Sequence, residues 1–132
     1  EDDVVCIDDA FYLAGRKDPD RIRKTQETRD TPSELLAGLD TSLPIFVMDH
    51  QPSELSEVSA AGADLDLGGH THDGQTFPGN ITIKFLWENP CGYLQKGSMH
   101  NIVTSGSGVW GPAMRVGTNS EICTINVTFQ NS

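Results

Sequence analysis

A strand–helix–strand pattern in the middle of the chain constrains the fold most. The continuous apolar run at 43–48 predicts a strand that is covered on both faces. A helix is expected over 53–61, with Ser53 as its N-cap and Gly62 as its end, followed by a short strand over 63–67. Because a helix joins the two strands, parallel pairing with a right-handed crossover is favoured. The pattern predicts an α/β fold.

Shorter signals flank this unit on both sides. The residues before it predict two strands with a tight connection, at 4–7 and 11–14, and a charged exposed loop over 15–30, with a helical turn within it as the alternative. Thr31, Pro32 and Glu34 have the N-cap, first-turn proline and capping-box pattern of a short helix. Beyond Pro78 we expect short strands at 81–85 (with a helix as the alternative), 92–95, 101–105 and 121–129.

The composition limits the classes of protein to consider. The chain has 132 residues, 36% of them hydrophobic, which suits one domain with a modest core. It carries 9 Lys and Arg against 19 Asp and Glu, for a net charge of −10 with neutral His. This balance argues against nucleic-acid binding, which needs clustered cations. No apolar run approaches the ~18 residues of a membrane-spanning helix.

The cysteines and the first residues bear on location and processing. Three widely spaced cysteines without a Cys-X-X-Cys pair do not suggest a disulfide framework, and mildly favour a reducing compartment. We therefore expect a protein that is cytoplasmic or peripheral to a membrane. The chain opens Glu-Asp-Asp-Val-Val-Cys, without Met or an apolar leader, which suggests an excised segment or a processed product.

Three of the four histidines follow predicted strands. His50 follows the first strand of the central unit, and His70 and His72 follow the second. Because the carboxyl ends of neighbouring parallel strands line the ligand crevice of an open α/β sheet, we expect the three imidazoles at one rim. Imidazole suits several divalent transition metals, and histidines at i and i+2 can serve two adjacent ions. The alternative is a structural histidine at each position, the interpretation that we apply to His100.

The sequence around these histidines resembles a known family. The matching stretches are His-Gln-Pro at 50–52, Gly-His-Thr-His at 69–72, Asp-Gly-Gln at 73–75 with Pro78, and the glycine-rich segment 103–115. Together they resemble the C-terminal half of calcineurin-like metallophosphoesterases, in the bacterial branch with a Gly-His-Thr-His-X-Gly-Gln element. The resemblance runs through most of residues 43–129.

The resemblance implies a fold, an activity and a set of ligands. The family domain is a layered sandwich of two mixed sheets flanked by helices, of which this chain supplies one sheet with its helices and closing strands. The implied activity is hydrolysis of phosphate esters at two divalent metal ions, with Mn, Fe and Zn not distinguished. His50 and His70 are expected to bind one metal and His72 the other. Gly69, Gly74 and Gln75 are expected to shape the site.

Two departures from the family pattern change these expectations. The N-terminal Asp-X-His, Gly-Asp and Gly-Asn-His-Glu elements of the family are absent from residues 1–132. We therefore expect a single-domain fragment without catalytic residues of its own, inactive alone, that lacks the N-terminal half of its domain and self-associates through the apolar face left open. The alternative is a non-catalytic metal-binding or interaction domain.

The second departure is Asp73, which stands where the family typically has glycine. It either orients His72 or is a solvated loop residue. Arg115, one of three cations after residue 40, is a candidate to bind the phosphate of a substrate. Its alternative is an ion pair with one of the many carboxylates.

Overall fold

Residues 2–129, as described by a computed structural model, form one mixed sheet with helices beside it. The strands are β1 (Asp3–Ile7), β2 (Phe11–Gly15), β3 (Ile45–Met48), β4 (Leu65–Gly68), β5 (Gly92–Lys96) and β6 (Met99–Val103). They lie side by side in the order β1-β2-β3-β4-β6-β5. The four inner strands are parallel, and β1 and β5 pair antiparallel at the edges. The α/β prediction is confirmed.

The helices are short and lie in the connections. They are α1 (Pro19–Thr25), α2 (Pro32–Leu35), α3 (Leu55–Ala60) and α4 (Gly79–Thr82), with 3₁₀ turns at His72–Gly74 and Ile83–Phe85. The predicted capping box of α2 is confirmed. The Glu34 amide donates to Thr31 Oγ1 (3.2 Å), and the Thr31 amide donates to Glu34 Oε2 (2.9 Å).

The core lies between the sheet and the helices α2 and α3. The predicted strand–helix–strand unit forms its centre, since β3 and β4 pair in parallel and α3 joins them. The apolar side chains of the core are buried on that face of the sheet: Ala14, Leu35, Leu36, Ile45, Val47, Leu55, Val58, Ala63 and Met99. Parallel pairing of the four inner strands places their carboxyl ends at a common edge of the sheet.

The start of α3 differs from the prediction. Its N-cap is Glu54, in the left-handed conformation (φ 59°) and without a side-chain cap, rather than Ser53. The physical reason is an ion pair, because the Glu54 carboxylate accepts a hydrogen bond from Arg16 Nη2 at 2.7 Å. Tertiary contact thus replaces the local cap.

The stretch 81–85 is helical, as the alternative stated, and the strand prediction is wrong. Its backbone bonds are local: the Ile81 amide donates to the Pro78 carbonyl (2.9 Å), and the Leu86 amide donates to the Ile83 carbonyl (3.1 Å). β4 already pairs with β3 on one side and β6 on the other, so it offers no free edge to this segment.

The predicted strand at 121–129 is also wrong for the described part of the chain. These residues are exposed and pair with no other strand within residues 2–129. The segment instead passes over the sheet face opposite the helices, where Phe129 lies 6.0 Å from Phe11 and 6.2 Å from Phe46, ring centre to ring centre. A groove of about 870 Å³ lies between this segment and the sheet. Because the segment pairs with neither edge strand, β1 nor β5, its alternating apolar pattern does not produce a strand here.

The face under this segment is apolar and partly uncovered. The register of the strands places Leu13, Phe46 and Leu65 in one row, and Met48, Leu67 and Ile102 in the next. Met48 is 45% exposed. The helices cover only the opposite face, so this face lacks the second layer that α/β domains use to bury a sheet.

Three buried polar side chains are linked by hydrogen bonds: Asp66 on β4, Asn101 on the neighbouring β6, and Asn89 before β5. Asn89 Nδ2 donates to Asn101 Oδ1 (2.5 Å), and Asn101 Nδ2 donates to Asp66 Oδ2 (2.7 Å). Burial, together with the nearby negative charge of Asp49, raises the pKa of Asp66 to about 7. Asp66 Oδ1 has no hydrogen-bond partner, which suits a carboxyl group that carries a proton.

This raised pKa predicts a pH-dependent stability. Between the unfolded pKa near 4 and the folded pKa near 7, folding takes up a proton, so the free energy of unfolding falls as the pH rises through this window. Asp66→Asn removes the titration and keeps an acceptor for Asn101. We expect its stability relative to the wild type to rise by roughly 2 kcal/mol between pH 5 and pH 8 in urea unfolding. Asp9→Asn, at an exposed turn, is the control, and equal pH profiles for all three proteins would contradict the prediction.

Candidate functional site

The predicted histidines lie at the carboxyl edge of the parallel strands. His50 follows β3 by two residues, and Gly69 and His70 directly follow β4. The Gly69 amide donates to the His50 carbonyl (3.0 Å), which joins the two strand ends beyond the last ladder pair. Parallel pairing therefore brings these two histidines together, as the sequence predicts for neighbouring strands.

The rings of His50 and His70 are adjacent and meet edge to face. Their centres are 5.2 Å apart and their planes are nearly perpendicular, at 88°. Trp87 lies against the other side of His70, with its ring centre 5.6 Å away. A Cβ atom on Gly69 would lie 3.7 Å from His50 Nδ1, an ordinary van der Waals distance, so Gly69 lies directly beside that ring.

His72 has its neighbours on a different side of the loop. Its ring Nδ1 is 3.2 Å from Arg115 Nη2, and its carbonyl accepts from Arg115 Nη1 (3.1 Å). A Cβ atom on Gly106 would lie 3.8 Å from His72 Nδ1. Within residues 2–129, no three His, Cys, Asp or Glu side chains come close enough together to hold a metal ion. The described residues thus bring two of the three predicted ligands together.

Both loop histidines are held toward the neutral form. Burial lowers the pKa of His70, and a positive charge on His50 lowers it further. Burial and then the positive charge of Arg115 lower the pKa of His72. Neutral imidazole is the form that binds divalent transition metals. The neutral imidazole nitrogens are therefore suitable metal ligands. The two adjacent imidazoles of His50 and His70 supply only part of a ligand set.

The loop that carries His70 and His72 has an unusual backbone. Four of its non-glycine residues have positive φ: His70 (65°), His72 (51°), Asp73 (51°) and Gln75 (51°). Such conformations cost about 1–3 kcal/mol each and persist where the surroundings impose them. Asp73 occupies a left-handed position, which glycine adopts without strain, and its amide lies 3.4 Å from Thr71 Oγ1.

A glycine-rich closing loop, residues 105–118, packs against the histidine loop. Gln75 is buried. Its side-chain Nε2 donates to the Trp110 carbonyl (2.5 Å) and to the Pro112 carbonyl (3.2 Å). Gln75 Oε1 accepts from the Trp110 amide (2.5 Å). Gln75 therefore fixes the position of the closing loop relative to the histidines.

Arg115 is the second link between the two loops. Its Nη2 donates to the carbonyls of Ser105 (2.6 Å) and Gly108 (2.6 Å), in addition to its two contacts with His72. These partners are neutral oxygens and an imidazole rather than a carboxylate. Most of the donor capacity of the guanidinium is thus used inside the protein.

A buried ion-pair network lies beneath His50, and the sequence did not predict it. Asp49, 1% exposed, accepts from Arg16 Nη1 at 2.7 Å and also from Arg29. Arg16 in turn pairs with Glu54 at the start of α3. The available signal was a charged residue directly after each of two apolar strands, Arg16 after β2 and Asp49 after β3. These two charged residues predict an ion pair only if β2 and β3 are neighbours, and no sequence pattern indicated that pairing.

Similar proteins identify the family of this fold and site. An uncharacterized metallophosphoesterase of Helicobacter pylori strain J99 is 32% identical over 111 residues, covering 83% of this chain and 30% of that protein. One of Campylobacter jejuni is 35% identical over 99 residues, covering 67% of this chain and 24% of that protein. The chain belongs to the metallophosphoesterase superfamily.

The relatives of this metallophosphoesterase chain extend beyond bacteria and are much longer than it. A Danio rerio protein named transmembrane protein with metallophosphoesterase domain is 40% identical over 96 residues, 68% of this chain. The chain spans between about a fifth and a third of the length of these three relatives. No protein-family model matches the chain, and no solved structure matches it significantly. Among the described residues, no helix has the length and apolar character needed to cross a bilayer.

The contact between Gly74 and α4 gives a direct test of the loop geometry. Gly74 has φ 71°, and a Cβ atom there would lie 2.3 Å from the Gly79 backbone. Gly74→Ala is expected to lower the free energy of unfolding by more than about 1 kcal/mol, because both conformation and space exclude the methyl group. Urea unfolding measures the effect.

Gly108→Ala is the matched control for this test. Gly108 lies in the closing loop without a positive φ, and a methyl group there would meet no atom within 4 Å. We expect its stability to stay within about 0.5 kcal/mol of the wild type. Equal effects of the two substitutions would contradict the close approach of Gly74 to α4.

Proposed function

We propose that this chain is the C-terminal part of a metal-dependent phosphoesterase domain and contributes His50, His70 and His72 to a dinuclear metal centre. The observation that carries the proposal is the adjacency of the His50 and His70 imidazoles, whose ring centres lie 5.2 Å apart at the carboxyl edge of the parallel strands. The superfamily membership supports metal-dependent hydrolysis of phosphate esters as the activity of the whole protein.

In this proposal the histidines of the chain hold and orient divalent metal ions. Bound metal ions supply a hydroxide at neutral pH and neutralise charge on phosphoryl oxygens, with Mn, Fe and Zn all compatible with imidazole ligands. The buried Asp49 fixes the strand end that precedes His50, and Arg115 holds the His72 carbonyl. Gly69 lies directly beside the His50 ring, and Gly74 and Gln75 fix the loop that carries the other two histidines.

We propose that residues 1–132 are inactive alone and that the N-terminal half of the same domain completes the site. Three imidazoles provide no carboxylate to bridge two ions, and the described residues bring together no metal-binding group of three side chains. On this basis the chain contains no catalytic residue of its own. The competing function is a non-catalytic metal-binding or interaction domain that retains the histidine loop.

The role of Arg115 in substrate binding stays a prediction. Its guanidinium bonds to carbonyls of the closing loop and to His72, while its buried Nε has no partner. A phosphate bound beside His72 would be one more hydrogen-bond acceptor for the Arg115 guanidinium, next to the protein acceptors that it already has. Substrate binding by Arg115 would therefore add to its contacts within the protein.

Histidine variants test the proposed centre. The assay uses a longer form of the protein that includes the N-terminal half of the domain, with Mn²⁺ as the metal and bis(p-nitrophenyl) phosphate as the substrate. We expect each of the substitutions His50→Ala, His70→Ala and His72→Ala to lower kcat/KM more than about 100-fold. Contacts that only orient metal ligands are already worth about 10–100-fold. Calorimetric titration with Mn²⁺ should show weaker binding for the same variants.

His100→Ala is the control for the histidine series. His100 is exposed and its Nδ1 contacts the Tyr93 hydroxyl at 2.8 Å, on the sheet face away from the helices. We expect its activity to match the wild type. Turnover by residues 1–132 alone at the same rate as the longer protein would contradict the fragment proposal. Mn²⁺ binding by the longer protein without turnover would favour the non-catalytic alternative.

We also propose that the isolated chain self-associates through its open sheet face. This face exposes the side chains of Val5, Met48 and Tyr93. Each of them lies next to an apolar residue on the neighbouring strand, so the exposed surface is apolar. Burying such a face is favourable by roughly 25 cal/mol per Å². In the longer protein, the missing half of the domain would cover the same surface.

Light scattering after size exclusion tests the self-association. At micromolar concentration we expect a mass well above the 14.3 kDa of one chain. Val5→Glu with Met48→Glu should shift the chain toward the monomer, because both charges would be desolvated in the interface. Phe85→Glu, at an exposed position outside the sheet, should leave the mass unchanged. A monomeric wild type would overturn the proposal.

A further inference from the structure

A cysteine lies where the segment 121–129 begins to cross the open sheet face. Cys91 directly precedes β5, and extending the β5–β6 register by one pair places it opposite Thr104. The Thr104 hydroxyl is 3.1 Å from Glu121 Oε1, at the start of the segment. The Cys91 thiol lies beside the same carboxylate oxygen, with its Sγ 3.9 Å away.

A second cysteine, Cys123, lies on the same side of this segment as Glu121. Side chains two residues apart point the same way in an extended chain. The exposures agree with this alternation, because Ile122 is 87% exposed and Ile125, in the phase of Cys123, is 38% exposed. A cleft on the open sheet face is lined by Cys123 together with Thr104 and Glu121. The two cysteines therefore flank one carboxylate.

The backbone of the segment is not bonded to the sheet beyond its first residue. The Glu121 amide donates to the Gly106 carbonyl (3.0 Å), and 122–128 form no backbone–backbone hydrogen bond in the part of the chain that the structure describes. A disulfide requires its two Cβ atoms within about 4.5 Å of each other. Because no ladder bond has to break, the segment can bring Cys123 to this distance from Cys91.

The two thiols differ in exposure, which sets the order in which they react. Cys123 is exposed, whereas Cys91 is partly buried. Burial raises the pKa of the Cys91 thiol, and nearby negative charges, that of Cys123 among them, raise it further. Cys91 therefore stays protonated, and the exposed Cys123 is the thiol that meets an oxidant first.

We propose that Cys91 and Cys123 are a redox-active pair that closes to a disulfide and fastens the segment 121–129 to the start of β5. The oxidant is a small-molecule disulfide of the oxidised-glutathione class. The Cys123 thiolate attacks one sulfur of this oxidant, which gives a mixed disulfide and releases one glutathione. The Cys91 thiol then gives up its proton and attacks the Cys123 sulfur, which closes the protein disulfide and releases the second glutathione, protonated. Two protein thiols are oxidised, and one disulfide is reduced to two thiols.

Closure of this disulfide links the open sheet face to the histidine loop. The Pro90 carbonyl, one residue before Cys91, accepts a hydrogen bond from Thr71 of that loop. In a reducing compartment the pair stays open and closes only where disulfide oxidants accumulate, so the link is reversible. The inference does not depend on the proposed metal chemistry.

The third cysteine, Cys6, is an internal control for this proposal. It lies on β1, and β1 and β5 are the opposite edges of the six-stranded sheet. Five strand spacings separate these edges, which amounts to ~24 Å. A disulfide spans less than about 7 Å between Cα atoms, so Cys6 cannot pair with either of the other cysteines within one chain.

Thiol counting by mass spectrometry tests the pair. The chain is incubated at low micromolar concentration with oxidised glutathione, and the remaining thiols are alkylated with N-ethylmaleimide before digestion. We expect the number of free thiols to fall from three to one, with Cys6 alkylated and the peptides of Cys91 and Cys123 joined. Excess dithiothreitol should restore all three thiols. Stable glutathione adducts without a bond between Cys91 and Cys123, or bonds that join two chains, would overturn the proposal.

A shifted thiol tests the geometry. Cys123→Ser with Thr124→Cys moves the thiol by one residue, to the opposite side of the extended segment. In samples quenched with acid at intervals, we expect its bond to Cys91 to form at least tenfold more slowly than the wild-type bond. Cys6→Ser should close at the wild-type rate, and circular dichroism melting checks that the reduced variants stay folded. Equal rates for the wild type and the shifted variant would overturn the placement of Cys123 beside Cys91.

Discussion

The buried carboxylate of Asp49 joins parts of the structure that are far apart in the sequence. It lies between Arg16 at the end of β2 and Arg29 in the segment between α1 and α2, and Arg16 also reaches Glu54 at the start of α3. Burial raises the pKa of Asp49, and the two guanidinium groups oppose that effect. Loss of one partner in such a network typically costs about 3–5 kcal/mol, because a buried charge is left without compensation.

This network explains why the edge of the sheet can carry a site. The ion pairs hold the ends of β2 and β3 together one residue before His50, and the Gly69–His50 backbone bond continues the connection to the end of β4. The charges of the arginines and carboxylates therefore neutralise each other beneath the carboxyl edge of the sheet, and the imidazoles lie at that edge. A rigid support of this kind orients ligand side chains, as contacts behind metal ligands do in metalloproteins.

Local signals in the sequence predicted the elements whose contacts are local. The capping box at Thr31 and the strand–helix–strand unit depend on neighbouring residues or on one short crossover, and both are confirmed. The predictions at Ser53 and at 121–129 were wrong because distant contacts decide them. Glu54 pairs with Arg16, which is 38 residues away, and 121–129 lies over the sheet face and pairs with neither edge strand in the described residues. The proximity of His50 and His70 was predictable from parallel pairing, whereas the contacts of His72 depend on a closing loop whose path no pattern indicated.

The direction of His72 is set by residues that follow it in the chain. Left-handed backbone at His70, His72, Asp73 and Gln75 is unfavourable, so it needs support from outside the loop. Thr71 bonds to the Pro90 carbonyl, Gln75 bonds to the closing loop, and Arg115 holds the His72 carbonyl. The closing loop thus belongs to the histidine site as a structural support.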